Sequence, residues 1–297
     1  MKKIRTILIA GGDLRQVHLA SRLAGEYEVL AFGLDEAAQW KGPVRILRSL
    51  QAEREVLRRV DALILPMPAM ENDVYIHAPF AEKKIRAEEL LETLPESAVV
   101  LAGKLNAGLI KALNARGLSY DDYLKREELA VANAVPTAEG ALQIIMEELP
   151  VTVNGLEVLI VGSGRISKVL RKMLTALGAQ VTVSARKHED FAWIEADHCK
   201  AVQTKNLKDL VGDYDLVVNT VPAKVLAEPV LERVKPNALL LDLASKPGGI
   251  DFEEANRLGV KTIWALSLPG KVAPLSAGEI IYRTVHNMLR EREEDDE

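Results

Sequence analysis

A chain of 297 residues is long enough for two domains, each with a full hydrophobic core. Its net charge of −5 offers no basic field for nucleic acid, and the single cysteine, Cys199, excludes an internal disulfide and fits a reducing compartment. The amino terminus leads straight into a strand without a signal-peptide core, and no uninterrupted apolar run reaches the roughly 18 residues of a membrane span, so a cytoplasmic protein is expected.

The amino-terminal half alternates strands and helices. Strands are predicted over residues 6–12, 27–32, 44–47, 61–66 and 98–102, with helices between them, notably 14–24 and 83–94. The first turn reads Gly11-Gly12-Asp13. A carboxylate there would repel a phosphate, so this half is read as a substrate or cap domain without a nucleotide site. A long helix over 127–149 follows, apolar at Leu129, Ala132, Val135, Ile144, Ile145 and Leu149. Pro136 is expected to kink it or to start a new segment, and Thr137 and Glu139 either cap that start or serve the chemistry of a site. Asn154-Gly155 should mark the way into the second domain.

The run Leu156–Ser167 is the most informative of the chain. A short apolar strand ends in Gly162-Ser163-Gly164, and Arg165-Ile166-Ser167 opens a helix extending to about 177. That is the strand, tight turn and helix start of a dinucleotide-binding unit. The first glycine permits the turn, the second lets backbone approach a pyrophosphate, and Ser167 replaces the third. The next strand, 180–184, should end in an acidic residue if the coenzyme were NAD. Instead Ser184 is followed by Ala185, Arg186 and Lys187, a hydroxyl and two cations suited to an adenosine 2′-phosphate. NADP is therefore expected over NAD. Solvated loop residues are the alternative for the two cations.

Further buried strands are predicted at 216–220, 238–243 and 261–266, and helices at 207–211, 225–234 and 252–258. Ligand groups should lie beyond the carboxyl ends of these strands. Thr220, Val221 and Pro222 would run along the nicotinamide ribose. Asp242 and Ala244 close the next strand on the coenzyme side, and Gly270 would sit beside the carboxamide. A last helix over 276–290 carries an apolar stripe of Ala277, Ile280, Ile281, Val285, Met288 and Leu289 and should return to the first domain. The acidic stretch 291–297 reads as a frayed, solvated end. The fold class is α/β, with two Rossmann-like doubly wound parallel-sheet domains joined by long crossing helices. Residues 1–130 form the first, completed by helices at 127–149 and 275–292, and residues 152–272 form the NADP-binding domain. The five histidines show no metal-ligand spacing, and no metal site is expected.

Six ordered segments resemble one family. They are Gly11–Gln16, Asn133–Gly140, Gly162–Arg165, Asn219–Pro222, Asp242–Gly249 and Leu268–Gly278. Together they are similar to the dipicolinate synthase A-chain family of spore-forming bacteria, across almost the whole chain. The resemblance implies oxidation of a dihydrodipicolinate-level intermediate of the lysine pathway to dipicolinate during spore formation. It also implies a partner, the flavoprotein-like second subunit of dipicolinate synthase; a homo-oligomer stays open. Ser167, Ser276 and Lys104 depart from the family pattern.

A precursor of dipicolinate is a small ring bearing two carboxylates, so its site needs cations or N–H donors on both sides. Arg15 is a candidate for a bidentate grip, with Asn133, Thr137, Ser245 and Lys246 as further substrate contacts. Glu139 is the candidate general base, with Thr137 and Lys246 completing the catalytic set. Two other readings stay open: a 2-hydroxy-acid or amino-acid dehydrogenase, and a non-catalytic NADP-binding partner subunit. Against the first, no histidine base follows the last strand.

Overall fold

Short apolar strands and single-striped helices alternate along the chain and assemble two six-stranded parallel sheets. The computed structural model describes residues 3–34 and 42–295. Two compact units emerge. One comprises the chain up to Ala132 together with the segment from Ala273 onward, and the other comprises Asn133–Val272.

The first unit runs β1 (Thr6–Ala10), α1 (Leu14–Leu23), β2 (Glu28–Phe32), β3 (Val44–Leu47), α2 (Arg54–Leu57), β4 (Ala62–Ile64), α3 (Ala87–Glu92), β5 (Val99–Ala102), α4 (Ala107–Ala115) and β6 (Ser119–Asp122). α5 (Glu127–Glu148) then leads into the second unit. There the order is β7 (Glu157–Val161), α6 (Arg165–Ala176), β8 (Gln180–Ala185), α7 (His188–Ala196), β9 (Lys200–Gln203), α8 (Leu207–Leu210), β10 (Leu216–Asn219), α9 (Glu228–Leu231), β11 (Leu239–Asp242), α10 (Phe252–Arg257), β12 (Lys261–Trp264) and α11 (Leu268–Val272). α12 (Pro274–Asp295) belongs to the first unit again.

The strand orders are β3-β2-β1-β4-β5-β6 and β12-β11-β10-β7-β8-β9. Both are the doubly wound 3-2-1-4-5-6 pattern, and each reverses direction at its first strand, where such folds bind ligands. Each sheet is covered on both faces, which explains its continuous apolar strands. In β1, Ile7 and Ile9 face Leu19, Leu23, Ile281 and Val285, whereas Leu8 and Ala10 face Leu90, Leu91 and Leu109. In β7, Val158 and Ile160 join Leu170 and Leu174, and Leu159 and Val161 join Leu207 and Leu240. Each fully buried Leu or Ile contributes about 1.5–3 kcal/mol.

Four expectations need correction. The unit boundary lies inside α5, not near Asn154-Gly155: Leu129 packs in the first unit's core, and Ala138, Ala141 and Ile145 pack in the second's. Asn154-Gly155 is a turn of the second unit, with the Gly155 N–H donating to the Gly178 carbonyl at 2.9 Å. Pro136 neither ends α5 nor starts a new segment, because the helix is continuous from Glu127 to Glu148. That helix is also long and apolar enough to cross a membrane, although its buried residues sit in protein cores. The acidic end is helical to Asp295, as Glu291 accepts from Arg126 at 2.7 Å and Glu293 accepts from the Ile4 N–H at 2.9 Å. Asp296 and Glu297 lie outside the described residues. Residues 225–234 carry only the short helix α9, which starts beside Pro229.

Candidate functional site

The site begins where β7 meets α6. Gly162 has φ +98°, and its N–H donates to the Ser184 carbonyl at 2.9 Å. A Cβ on Gly162 would stand 2.6 Å from Val221 Cγ2 and 2.7 Å from Thr220 Oγ1, so only glycine fits there. Gly164 precedes α6 without any side-chain cap, and a Cβ built on it meets no heavy atom within 4 Å. A twelve-residue helix thus starts without a side-chain cap, beside open space at Gly164, the kind of place that admits a pyrophosphate. Arg165 is exposed at the start of this helix, Ile166 packs against the core, and Ser167 is fully buried where close helix–sheet packing is needed.

The neighbouring strand ends are stitched together. Thr220 Oγ1 donates to the Val161 carbonyl at 2.9 Å, and the Val221 N–H donates to Asn219 Oδ1 at 3.1 Å. Pro222 is exposed beyond them. Asp242 is fully buried, which rules out the coenzyme contact expected of it. Its carboxyl instead accepts from Asn219 Nδ2 at 2.7 Å and from the N–H groups of Ala244, Gly249 and Ile250 at 2.9, 2.7 and 3.3 Å. Buried Ala244 accepts from Trp264 Nε1 at 3.0 Å. This network leaves Ser245, Lys246 and Pro247 as an exposed tip beyond β11. Gly270, expected beside the carboxamide, lies within α11, and the positive-φ residue here is Ser267 at +61°.

The adenosine end of the site also differs from expectation in one residue. β8 extends to Ala185, paired with Gln203, so alanine occupies the strand tip where an acidic residue would stand. Val183 and Ala185 face the core beneath α6, and Ser184 alternates to the opposite face. The Ser184 hydroxyl is fully buried without a hydrogen-bond partner, so it cannot reach a phosphate as placed. Arg186 and Lys187 follow, both exposed. Lys187 Nζ lies 3.0 Å from Glu189 Oε1, and this bond raises its pKa. So exposed a pair is too weak to withhold the lysine from a phosphate.

In α5, Thr137 Oγ1 donates to the Asn133 carbonyl at 2.7 Å, a bond inside a continuous helix that replaces the expected cap. Asn133 is half-buried, its Oδ1 is buried without a partner, and Glu139 is exposed. In the first unit, Arg15 does not present an empty fork. Its Nε and Nη2 each lie 2.9 Å from an Asp13 carboxylate oxygen, and Nη2 also donates to the Met67 carbonyl at 2.6 Å. Asp13 caps α1 through the Arg15 N–H, so the carboxylate the arginine was expected to grip is the chain's own.

Sequence reading missed Arg171, and it placed Asn219 at the coenzyme edge without the buried bond it makes to Asp242. Arg171 is 1% exposed and ion-paired to Asp197. Its spacing with Ser167, Leu170 and Leu174 places it on the buried stripe of α6, a signal that helical periodicity contains. Asn219 lies in a strand of aliphatic residues and is buried with them, which makes its polar side chain conspicuous.

A doubly wound sheet, an open glycine turn and an uncapped helix start define a nicotinamide-dependent oxidoreductase. Residues 140–245 match the NAD-binding domain of D-isomer specific 2-hydroxyacid dehydrogenases, and residues 6–124 match the N-terminal domain of the dipicolinate synthase A chain. The dipicolinate synthase A chain of Bacillus subtilis is 30% identical over 288 residues, covering 96% of both chains. The solved structure of the dipicolinate synthase A chain from Bacillus halodurans superposes with a TM-score of 0.90 at 29% identity, over 97% of this chain and 99% of that one. The solved Bacillus subtilis A chain gives 0.89 at 29%, over 99% of each. The protein belongs to the dipicolinate synthase A-chain family.

Proposed function

We propose that this protein oxidises a dihydrodipicolinate-level intermediate of the lysine pathway to dipicolinate in the cytoplasm, with NADP as hydride acceptor and the flavoprotein-like second subunit of dipicolinate synthase as partner. The observation that carries the coenzyme choice is the end of β8, where Ala185 replaces an acidic residue and Arg186 and Lys187 are exposed. The coenzyme supplies hydride acceptance. The chain binds its pyrophosphate at Gly162-Ser163-Gly164 and the start of α6, and lines its nicotinamide side with Thr220 and Val221, whereas buried Ala244 stays with the strand network.

The substrate is a small dicarboxylate, and Lys246 at the exposed tip beyond β11 neutralises one carboxylate, with Ser245 beside it as a donor. Asn133 and Thr137 orient the ring, and Glu139 takes the ring proton lost on aromatisation. Formation of an aromatic ring supplies the driving force, so orientation and charge neutralisation are the main demands on the protein.

The test is production of dipicolinate by the purified chain, alone and with a flavoprotein-like second subunit, in the presence of NADP, NAD or neither. Product should require a nicotinamide and form faster with NADP. Product without any nicotinamide, or turnover of a 2-hydroxy acid in its place, overturns the reading. Replacing Arg186 and Lys187 with alanine should lower the preference for NADP about 10-fold or more, as charge-assisted phosphate bonds are lost. An unchanged preference rejects Arg186 and Lys187 as the residues that select the coenzyme. Glu139→Gln should lower kcat about 100-fold or more if the carboxylate is the base.

A further inference from the structure

Arg171 is a fully buried cation whose bonds reach in two directions. Nε donates to Asp197 Oδ2 at 2.7 Å and Nη2 to the Trp193 carbonyl at 3.1 Å, which ties α6 to α7. Nη1 reaches the other way, to Ser163 Oγ at 3.4 Å, in the middle of the glycine turn. A guanidinium can only donate, so Ser163 Oγ is the acceptor and its own hydrogen must point elsewhere. The space beside it, over Gly164, is open.

We propose that Arg171 is a positioning residue for the coenzyme pyrophosphate: it holds the Ser163 hydroxyl as a hydrogen-bond donor to a phosphate oxygen. Asp197 offsets the guanidinium charge, so the contribution is orientation of one hydroxyl and not a long-range field. The proposal rests on the coenzyme reading and adds to it the way in which this glycine turn, with serine at its centre, is made specific for a pyrophosphate.

The experiment uses the full chain and two probes, ADP-ribose, which carries the pyrophosphate, and adenosine, which lacks it, each measured by competition with NAD(P)H fluorescence. Ser163→Ala should weaken ADP-ribose about 5- to 10-fold, the loss of one hydrogen bond to a charged group, and leave adenosine unchanged. Arg171→Lys cannot span all three partners and should give a similar selective loss. The double variant should bind ADP-ribose about as weakly as either single one, because both remove the same interaction. Losses that multiply in the double variant would overturn the proposal, as would equal weakening of both probes by Arg171→Lys. If Arg171→Lys fails to fold, Ser163→Ala decides alone: a selective loss supports the proposal and unchanged ADP-ribose affinity rejects it. A wild-type chain that binds neither NADPH nor NADH would instead remove the coenzyme reading itself.

Discussion

The two units close their first turns with the same bond, from Gly11 N–H to the Phe32 carbonyl and from Gly162 N–H to the Ser184 carbonyl, both at 2.9 Å. What lies over the turns differs. In the first unit a Cβ on Gly12 would stand 2.6 Å from Gln16 Cγ, the Gly12 N–H is taken by the His77 carbonyl at 2.8 Å, and Asp13 caps the helix. In the second unit Gly164 stands at the helix-cap position that Asp13 holds in the first, a Cβ built on it meets nothing within 4 Å, and the helix has no side-chain cap. Strand order and turn geometry supply the scaffold, and ligand competence depends on whether the chain fills its own anion site. One fold thus yields a filled turn and a receptive one.

The comparison breaks most visibly at Gly164. Gly164→Val should fold, because the space is open, and should weaken the coenzyme about 100-fold or more by blocking close backbone approach. Gly12→Val should leave coenzyme affinity unchanged and destabilise the first unit by about 1–3 kcal/mol, through the left-handed backbone and the contact with Gln16. Equilibrium unfolding and coenzyme titration of both variants check this crossed pattern. Asp242→Ala should cost about 2–4 kcal/mol, because four buried N–H donors lose their acceptor, and should raise KM for substrate through the freed Ser245–Lys246 tip. Asp13→Ala should cost about 1 kcal/mol as a lost helix cap, without creating a second coenzyme site.

A smaller effect concerns acid. Burial raises the Asp197 pKa, but the hydrogen bond and charge of Arg171, with help from Lys172, outweigh it and hold the carboxyl below its ordinary value of 3.8. A depressed pKa stabilises the fold fully above the ordinary value, and that stability is lost as pH falls through the folded value. Asp197→Asn should therefore flatten the fall of Tm below about pH 4, measured by thermal melts. An acid limb as steep in the variant as in the wild type would contradict the pairing.

β6, an edge strand of sequence Ser-Tyr-Asp-Asp, is polar and partly exposed and carries no apolar signal. Both sheets were otherwise legible because parallel strands buried on two faces read as apolar runs. The glycine turn and the missing acidic residue after β8 were legible for the same local reason. What stayed hidden depends on partners distant in sequence. Asp13 filling the Arg15 fork, Asp242 holding four donors and Ser184 turning inward are tertiary outcomes that spacing does not encode. Pro136 misled in another way: α5 stays helical because Leu129 on one side and Ala138, Ala141 and Ile145 on the other are anchored in cores, which outweighs one missing N–H.

The route of α12 has a consequence for biogenesis. Ile281, Val285, Met288 and Leu289 complete the core around β1, and Glu293 binds the Ile4 N–H. During synthesis, residues 1–132 must wait with that apolar surface uncovered until the final helix leaves the ribosome, whereas Asn133–Val272 has all of its own residues earlier. The portion translated first is the one that matures last.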